Sequence, residues 1–265
     1  MFIDSHKVID KVRNIVDNPI YIALGGFRMG GIMHQETPYL IKGFHVTSTL
    51  PTVGTGKCPT PKKPANFHRK YSPKITIHFV IYEIQEYISQ LKSRNISTIE
   101  ELHSPIVFFQ NDHAMELKNI CSKLLTKELY PGYLNLIQEQ TRLLSDQEPK
   151  ETRSLLELYR LYMEALYLFR LGKMVPNLHR LNDYFGFEAV SDLMERTNFH
   201  GEQFYYENIM EIIQDIDELK NELNSSCRYS KLPDKSDDID GLLDTYLKNS
   251  RKKYRHETKI NYTPG

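Results

Sequence analysis

Apolar residues recur at steps of three and four along the start of the chain. Phe2, Ile3, Val8, Ile9, Val12, Ile15 and Val16 form one stripe, which predicts an amphipathic helix stopped by Asn18-Pro19. The apolar run Ile20 to Leu24, closed by Gly25-Gly26, predicts a short buried strand, and Tyr39 to Thr49, rich in β-branched and aromatic residues, predicts a second. Residues 50 to 73 contain Pro51, Pro59, Pro61, Pro64 and Pro73 with Gly54 and Gly56, and predict an extended loop with no core of its own. From Lys74 the period is two: Ile75, Ile77, Phe79 and Ile81 alternate with Thr76, His78, Val80 and Tyr82. Helical spacing returns at Glu83 to Ile88.

Beyond Asn95 the pattern is almost wholly helical, with segments near 97–103, 112–127, 129–145, 151–172, 186–197, 203–224 and 237–250. Ser154 to Phe169 is apolar around most of its circumference and ends at Gly172, which predicts a buried central helix. Near the end, Asp234, Asp237, Asp238, Asp240 and Asp244 precede a helix that Lys248, Arg251, Lys252, Lys253 and Arg255 follow. That segregation offsets the helix dipole and predicts a charged tail. The expected class is α+β: a small α/β domain over 1–95 with a basic loop at 50–74, a helical domain over 96–250, and a basic flexible tail over 251–265.

Composition narrows the class without adding chemistry. The 265 residues are 40% hydrophobic and 26% charged, with 17 Tyr, 12 Phe and no Trp, which excludes a disordered or fibrous chain. The N-terminus is mixed in charge and no window approaches 18 apolar residues, so a cytoplasmic location without membrane contact is expected. Cys58, Cys121 and Cys227 are odd in number and far apart, as reduced thiols are. His103, His113, His179 and His200 lack the spacing of metal ligands, and no nucleophilic triad is defined by spacing.

Charge distribution changes the picture more. The chain has 34 acids and zero formal charge, yet no Asp or Glu occurs from Thr37 to Tyr82. That stretch carries Lys42, Lys57, Lys62, Lys63, Arg69, Lys70 and Lys74, with His45, His68 and His78, and Phe67 and Tyr71 interleave with its cations. Lysine and arginine give salt-sensitive affinity for phosphate backbones and aromatics stack bases, so the surface suits RNA or DNA. It equally suits an acidic protein partner. The turn Gly25 to Gly31 offers backbone N–H groups to a phosphate where glycine removes Cβ; a tight turn satisfying only its own backbone fits the same residues.

The segment Gly26-Phe27-Arg28-Met29-Gly30-Gly31-Ile32, followed by Glu36-Thr37-Pro38-Tyr39-Leu40-Ile41-Lys42-Gly43, resembles the motif of DNA-polymerase-β-like nucleotidyltransferases, in particular the type associated with RNA repair in bacteria and phages. On that resemblance Gly26, Arg28, Gly31, Lys42 and Gly43 fall on the family's glycine, arginine, glycine, basic residue and glycine. Phe27 stands in place of its serine, Pro38 and Leu40 in place of its paired aspartates, and His78 near its third carboxylate. Ile81 to Ile88, Ser104-Pro105-Ile106-Val107, the helix bearing Arg160 with Gly172 and Pro176 after it, and Leu232-Pro233-Asp234-Lys235 extend the likeness over roughly residues 1 to 250.

The resemblance implies a small mixed-sheet nucleotidyltransferase-like domain followed by a mainly helical domain. It also implies a nucleotide site at Gly25, Gly26, Arg28, Gly31 and Lys42. Nucleotidyl transfer needs two divalent ions held by carboxylates. Pro38 and Leu40 offer no side-chain oxygen and His78 offers a nitrogen, so no catalytic residue, metal or cofactor is assigned. Magnesium enters only if the candidate substitutes Glu36 and Glu83 rebuild the site. Phe27 is expected to fill the vacated pocket, and Arg160 to meet an internal acid or carbonyl. The leading expectation is a non-catalytic nucleotidyltransferase-fold protein binding nucleic acid, nucleotide or a macromolecular partner through Lys57, Lys62, Lys63, Phe67, Arg69, Lys70, Tyr71 and Lys74. The alternatives are an active metal-dependent nucleotidyltransferase with displaced carboxylates and a pure protein-interaction module.

Overall fold

A computed structural model of the protein describes residues 3–32, 37–47, 65–72, 75–146, 151–199 and 209–260. The first stripe folds as α1 (Ser5–Arg13), where the Asp4 carboxylate accepts from the His6 N–H and so satisfies an amide that the helix start leaves unpaired. Its buried Val8 and Val12 pack with Ile22 and Leu24 of β1 (Pro19–Gly25), Ile41 of β2 (Tyr39–His45), and Ile77, Phe79 and Ile81 of β4 (Ile75–Glu83). With β3 (Ala65–Ser72) and β5 (Val107–Gln110) these strands form one sheet in the order β3-β4-β2-β1-β5. β2 and β4 run parallel and the other neighbours antiparallel, so the sheet is mixed.

Two strands depart from the sequence expectation. β3 lies inside the span read as loop to residue 73; Ala65–Ser72 holds no proline, so nothing there removes a ladder donor, and it pairs with β4 from Ala65 opposite Ile81 to Ser72 opposite Ile75. β5 arises in the half read as helical. Four residues are too few to display a period of two, and the strand is defined by its pairing with β1, Tyr21 opposite Gln110 and Ile22 opposite Phe109. The sheet therefore crosses the boundary expected at residue 95.

Alternation along the strands gives the sheet a second face. There Ile20, Ala23 and Phe44 join one continuous core with α3 (Ile84–Lys92), α4 (Ile96–Leu102), α5 (Asp112–Cys121), α6 (Tyr130–Asp146), α7 (Thr152–Leu171), α8 (Leu178–Phe185), α9 (Glu188–Phe199), α10 (Ile209–Tyr229) and α11 (Ile239–Ile260). The arrangement is α+β, with the helices gathered largely on one face of a small mixed sheet. α7 is the predicted central helix, buried from Thr152 to Phe169 on most sides, and Gly172 ends it in the left-handed conformation at φ 68°. α8 was not expected, although its signals are present: the Asn177 side chain accepts from the Arg180 N–H, and Gly186 closes the helix.

Of the basic flexible tail expected over 251–265, the described residues, up to 260, are helix. α11 continues to Ile260, Arg251 Nη2 lies 2.8 Å from Glu83 Oε2, and Tyr254 is buried with its hydroxyl accepting from Asn111 Nδ2 at 3.1 Å. No helix among the described residues is long and apolar enough to cross a membrane. Ending the chain after Ser250 is predicted to cost about 3 kcal/mol, because it unburies an aromatic ring and leaves the Glu83 carboxylate without its guanidinium. Urea unfolding checks this; an unchanged midpoint would return the segment to the status of a tail.

Candidate functional site

β1 runs into α2 (Gly26–Met29), a single turn whose glycines make room for the chain's own side chains. Gly26 has φ +63°, and a Cβ there would lie 3.2 Å from Leu40 Cδ2; a Cβ on Gly30 would lie 2.8 Å from Arg160 Cδ. The turn closes on itself, with Gly30 N donating to Gly26 O and Ile32 N to Phe27 O, and the Gly30 carbonyl accepts from Leu178 N at 2.7 Å. It thereby fastens the first turn of α8 to the end of the sheet.

Leu40 and His78 are register partners across β2 and β4, and Pro38 lies two residues before Leu40. These three positions, with Gly26, Phe27 and Lys42, line a cavity of about 510 Å³ between the glycine turn, α4, α6 and α7. Phe27 packs against the helical core, and the Arg153 guanidinium stands 5.1 Å above its ring. Of the expected nucleotide set, Gly26 and Lys42 are on the cavity wall, whereas Gly25, Gly31 and Arg28 are not among its lining residues. Arg28 Nε donates to the Thr37 carbonyl at 2.8 Å and its guanidinium covers the Tyr39 ring at 4.0 Å, so it clamps the entry to β2.

Glu83 is placed away from the cavity wall. It is buried as the N-cap of α3, accepting from Gln85 N at 2.9 Å and pairing with Arg251. Glu36, Lys57, Lys62, Lys63 and Lys74 lie outside the described residues. On β3, Phe67 and Arg69 are opposite Phe79 and Ile77, Lys70 is opposite Thr76, and Tyr71 falls where the register shifts.

The acids near this cavity come from the helices, and sequence reasoning missed them. Glu100 and Glu101 of α4, Glu139 of α6 and Glu157 of α7 line it. Glu101 forms an ion pair with Lys42, and its side chain is 3% exposed. Burial outweighs the pull of Lys42 and raises the Glu101 carboxyl to about 6. Burial works against the Lys42 ammonium, but attraction and hydrogen bonding from Glu101 hold its pKa above the ordinary lysine range.

Arg160 carries a larger network. Its Nε and Nη2 donate to the two oxygens of Glu157 at 2.9 and 2.7 Å, and Nη1 donates to Glu164 Oε2 at 2.6 Å and to Glu100 Oε1 at 3.3 Å. The i, i+3 and i, i+4 spacing of Glu157, Arg160 and Glu164 was the available sequence signal; only folding brings Glu100 to the third edge. Three carboxylates share one guanidinium, and burial followed by repulsion from Glu100 raises Glu164 well above the carboxylate range. The internal acid expected for Arg160 is thus three acids.

The described residues do not assemble a ligand set for a pair of magnesium ions. Pro38 and Leu40 provide no ligand oxygen, His78 provides nitrogen, and Glu100, Glu101 and Glu157 are each engaged by Arg160 or Lys42, which leaves Glu139 as the lining carboxylate outside those pairs. Among the described residues no group of three or more His, Cys, Asp or Glu is placed to hold a metal ion.

A mixed sheet ending in a glycine turn and backed by a helical layer is an α+β arrangement consistent with a nucleotidyltransferase-like fold. The chain belongs to the RNA repair pathway DNA polymerase beta family (RlaP), whose profile matches residues 68–249, more than half of its length. Comparison with curated proteins gives no match. Among solved structures the chain is similar to a nucleotidyltransferase-like protein from Exiguobacterium sibiricum 255-15, at 12% identity and a TM-score of 0.29, over 98% of this chain and 80% of that one. The family assignment rests on the profile.

Two predictions follow from the charge network. Arg160→Met leaves the buried Glu100 and Glu164 and the half-buried Glu157 without their counter-ion and is expected to lose about 3–5 kcal/mol in chemical denaturation. For Glu101 the folded pKa lies above the unfolded one, so its contribution is most favourable below the unfolded value and is lost as pH rises through about 6. The wild-type stability relative to Glu101→Gln should therefore fall by about 2 kcal/mol between pH 4 and 7. A pH-independent difference between the two proteins would show that Glu101 does not titrate in this way.

Proposed function

We propose that this chain is a non-catalytic member of its family that keeps the nucleotidyltransferase scaffold and binds RNA through the basic stretch around β3. One observation carries the reading: the cavity beside Gly26 is lined by Pro38 just before β2, Leu40 of β2 and His78 of β4. In-line attack on an α-phosphate requires two cations gripped by hard oxygen ligands, and these side chains supply none. The engagement of the neighbouring glutamates by Arg160 and Lys42 supports the same conclusion, since a carboxylate bound to guanidinium or ammonium is a poor ligand for a further cation.

Binding through β3 is supported by position and charge. β3 is an edge strand bearing Arg69 and Lys70, and it follows directly in sequence on Lys57, Lys62 and Lys63 without an intervening acid. Such a surface gains affinity by releasing counterions from a phosphate backbone. The family's connection with RNA repair favours RNA over an acidic protein as the polyanion.

Incubation with labelled nucleoside triphosphates, magnesium or manganese and RNA acceptors should transfer no label. The same protein should bind single-stranded RNA with an affinity that falls as salt rises. Neutralising Lys62, Lys63, Arg69 and Lys70 together should weaken that binding by about two orders of magnitude at moderate salt. Metal-dependent transfer abolished by Glu36→Ala or Glu101→Gln would overturn the non-catalytic reading, and RNA affinity unaffected by the four substitutions would overturn the assignment to β3.

A further inference from the structure

We propose that the lysines of α11, Lys248, Lys252 and Lys253, bind the phosphate backbone of the RNA strand that lies on β3. The inference rests on the reading that β3 binds RNA, and extends that surface to the last helix of the chain. On sequence grounds these cations follow a helix and offset its dipole. α11 instead runs on to Ile260, so Lys253 stands about two turns short of the helix end and Lys248 further still. The dipole acts within the last turn, and so does not account for them.

Their own surroundings do not neutralise them either. No acid occurs in the sequence between Asp244 and Glu257, and Asp244 pairs with Lys92 at 2.7 Å. Arg251 is taken by Glu83, whereas Lys248, Lys252 and Lys253 are exposed and form no ion pair among the described side chains. Lys248 and Lys252 are four apart and so repel one another on the same face of the helix. Buried Tyr246, Ser250 and Tyr254 hold the opposite face against the protein, which turns the lysines outward. A polyanion outside relieves the repulsion.

The fold joins this helix to the acid-free stretch through Glu83. Glu83 Oε2 accepts from Arg251 at 2.8 Å, and Oε1 accepts from Thr47 N, just past β2, at 3.4 Å. β2 ends with His45 opposite Glu83, and β3 begins with Ala65 opposite Ile81. The chain thus leaves β2 and enters β3 at the strand end where α11 supplies Arg251. From Ala65 the edge strand runs about 17 Å to Lys70, a length that a few nucleotides span. RNA suits the lysines better than a protein surface does. Protein interfaces concentrate aromatic residues and deplete lysine, and α11 exposes no large apolar side chain among its described residues.

Fluorescence anisotropy of the full chain with a labelled single-stranded RNA of about 20 nucleotides tests the proposal. Lys248→Ala, Lys252→Ala and Lys253→Ala together should weaken binding about tenfold and make the slope of log affinity against log salt shallower by about two. Lys248→Arg, Lys252→Arg and Lys253→Arg together should keep the affinity, since phosphate contact asks for charge at these exposed positions. Affinity unchanged by the alanine set, while neutralising Lys62, Lys63, Arg69 and Lys70 weakens it, overturns the α11 contact alone. The reverse pattern overturns the β3 reading and leaves α11 as the RNA contact. No RNA binding by the wild type overturns both. Polyglutamate that displaces the RNA as effectively as unlabelled RNA does, at equal charge concentration, overturns the assignment to RNA.

Discussion

A guanidinium at the middle of the most buried helix, with its side chain only 6% exposed, has to be neutralised where it lies, because an unpaired charge so far out of water is costly. Arg160 is neutralised by Glu157 and Glu164 on its own helix and by Glu100 on α4. This arrangement fixes the distance between α4 and α7, and the Arg160 stem passes so close to Gly30 that the turn after β1 tolerates no side chain there. Helix, turn and sheet end are thus set by one side chain. The excess of carboxylate over guanidinium drives Glu164 toward its protonated form, which keeps the cluster from carrying a large net charge in the core.

The same pairing sets the electrostatics of the cavity beside the glycine turn. From the sheet the cavity is lined by Pro38, Leu40, Lys42 and His78, while the acids that line it come from α4, α6 and α7, and Glu100, Glu101 and Glu157 pair there with Arg160 or Lys42. The sheet is held by Ile22, Leu24, Ile41, Ile77, Phe79 and Ile81 against α1, and on its other face by Ala23 and Phe44 against the helices. The sheet is thus held by apolar contacts on both faces, while the cavity beside it is lined by charges that pair with one another.

Helical capping and domain continuity point the same way. Glu83, considered as a displaced ligand on sequence grounds, is consumed by the start of α3 and by Arg251 from the far end of the chain. That contact, together with Asn111 and Tyr254, draws α11 onto the sheet edge of the molecule and joins the last helix to the first half of the chain. A boundary at residue 95 looks natural in the hydrophobic pattern, yet β5 and α11 both cross it.

The sequence by itself determined the elements whose information is local. α1, β1, β2, β4 and α7 were legible from periodicity, Gly172 as a helix stop from its freedom at positive φ, and the glycine turn with Pro38, Leu40 and His78 from the resemblance to nucleotidyltransferases. Tertiary structure decided what depends on partners remote in the chain. β5 is a strand only because β1 offers its edge, β3 because β4 does, and the lining acids Glu100 and Glu101 could not be paired in advance with Arg160 and Lys42, which lie 60 and 59 residues away. Periodicity records which face of an element is apolar; it carries no record of which distant charge that face will meet, and here those distant charges define the chemistry of the cavity.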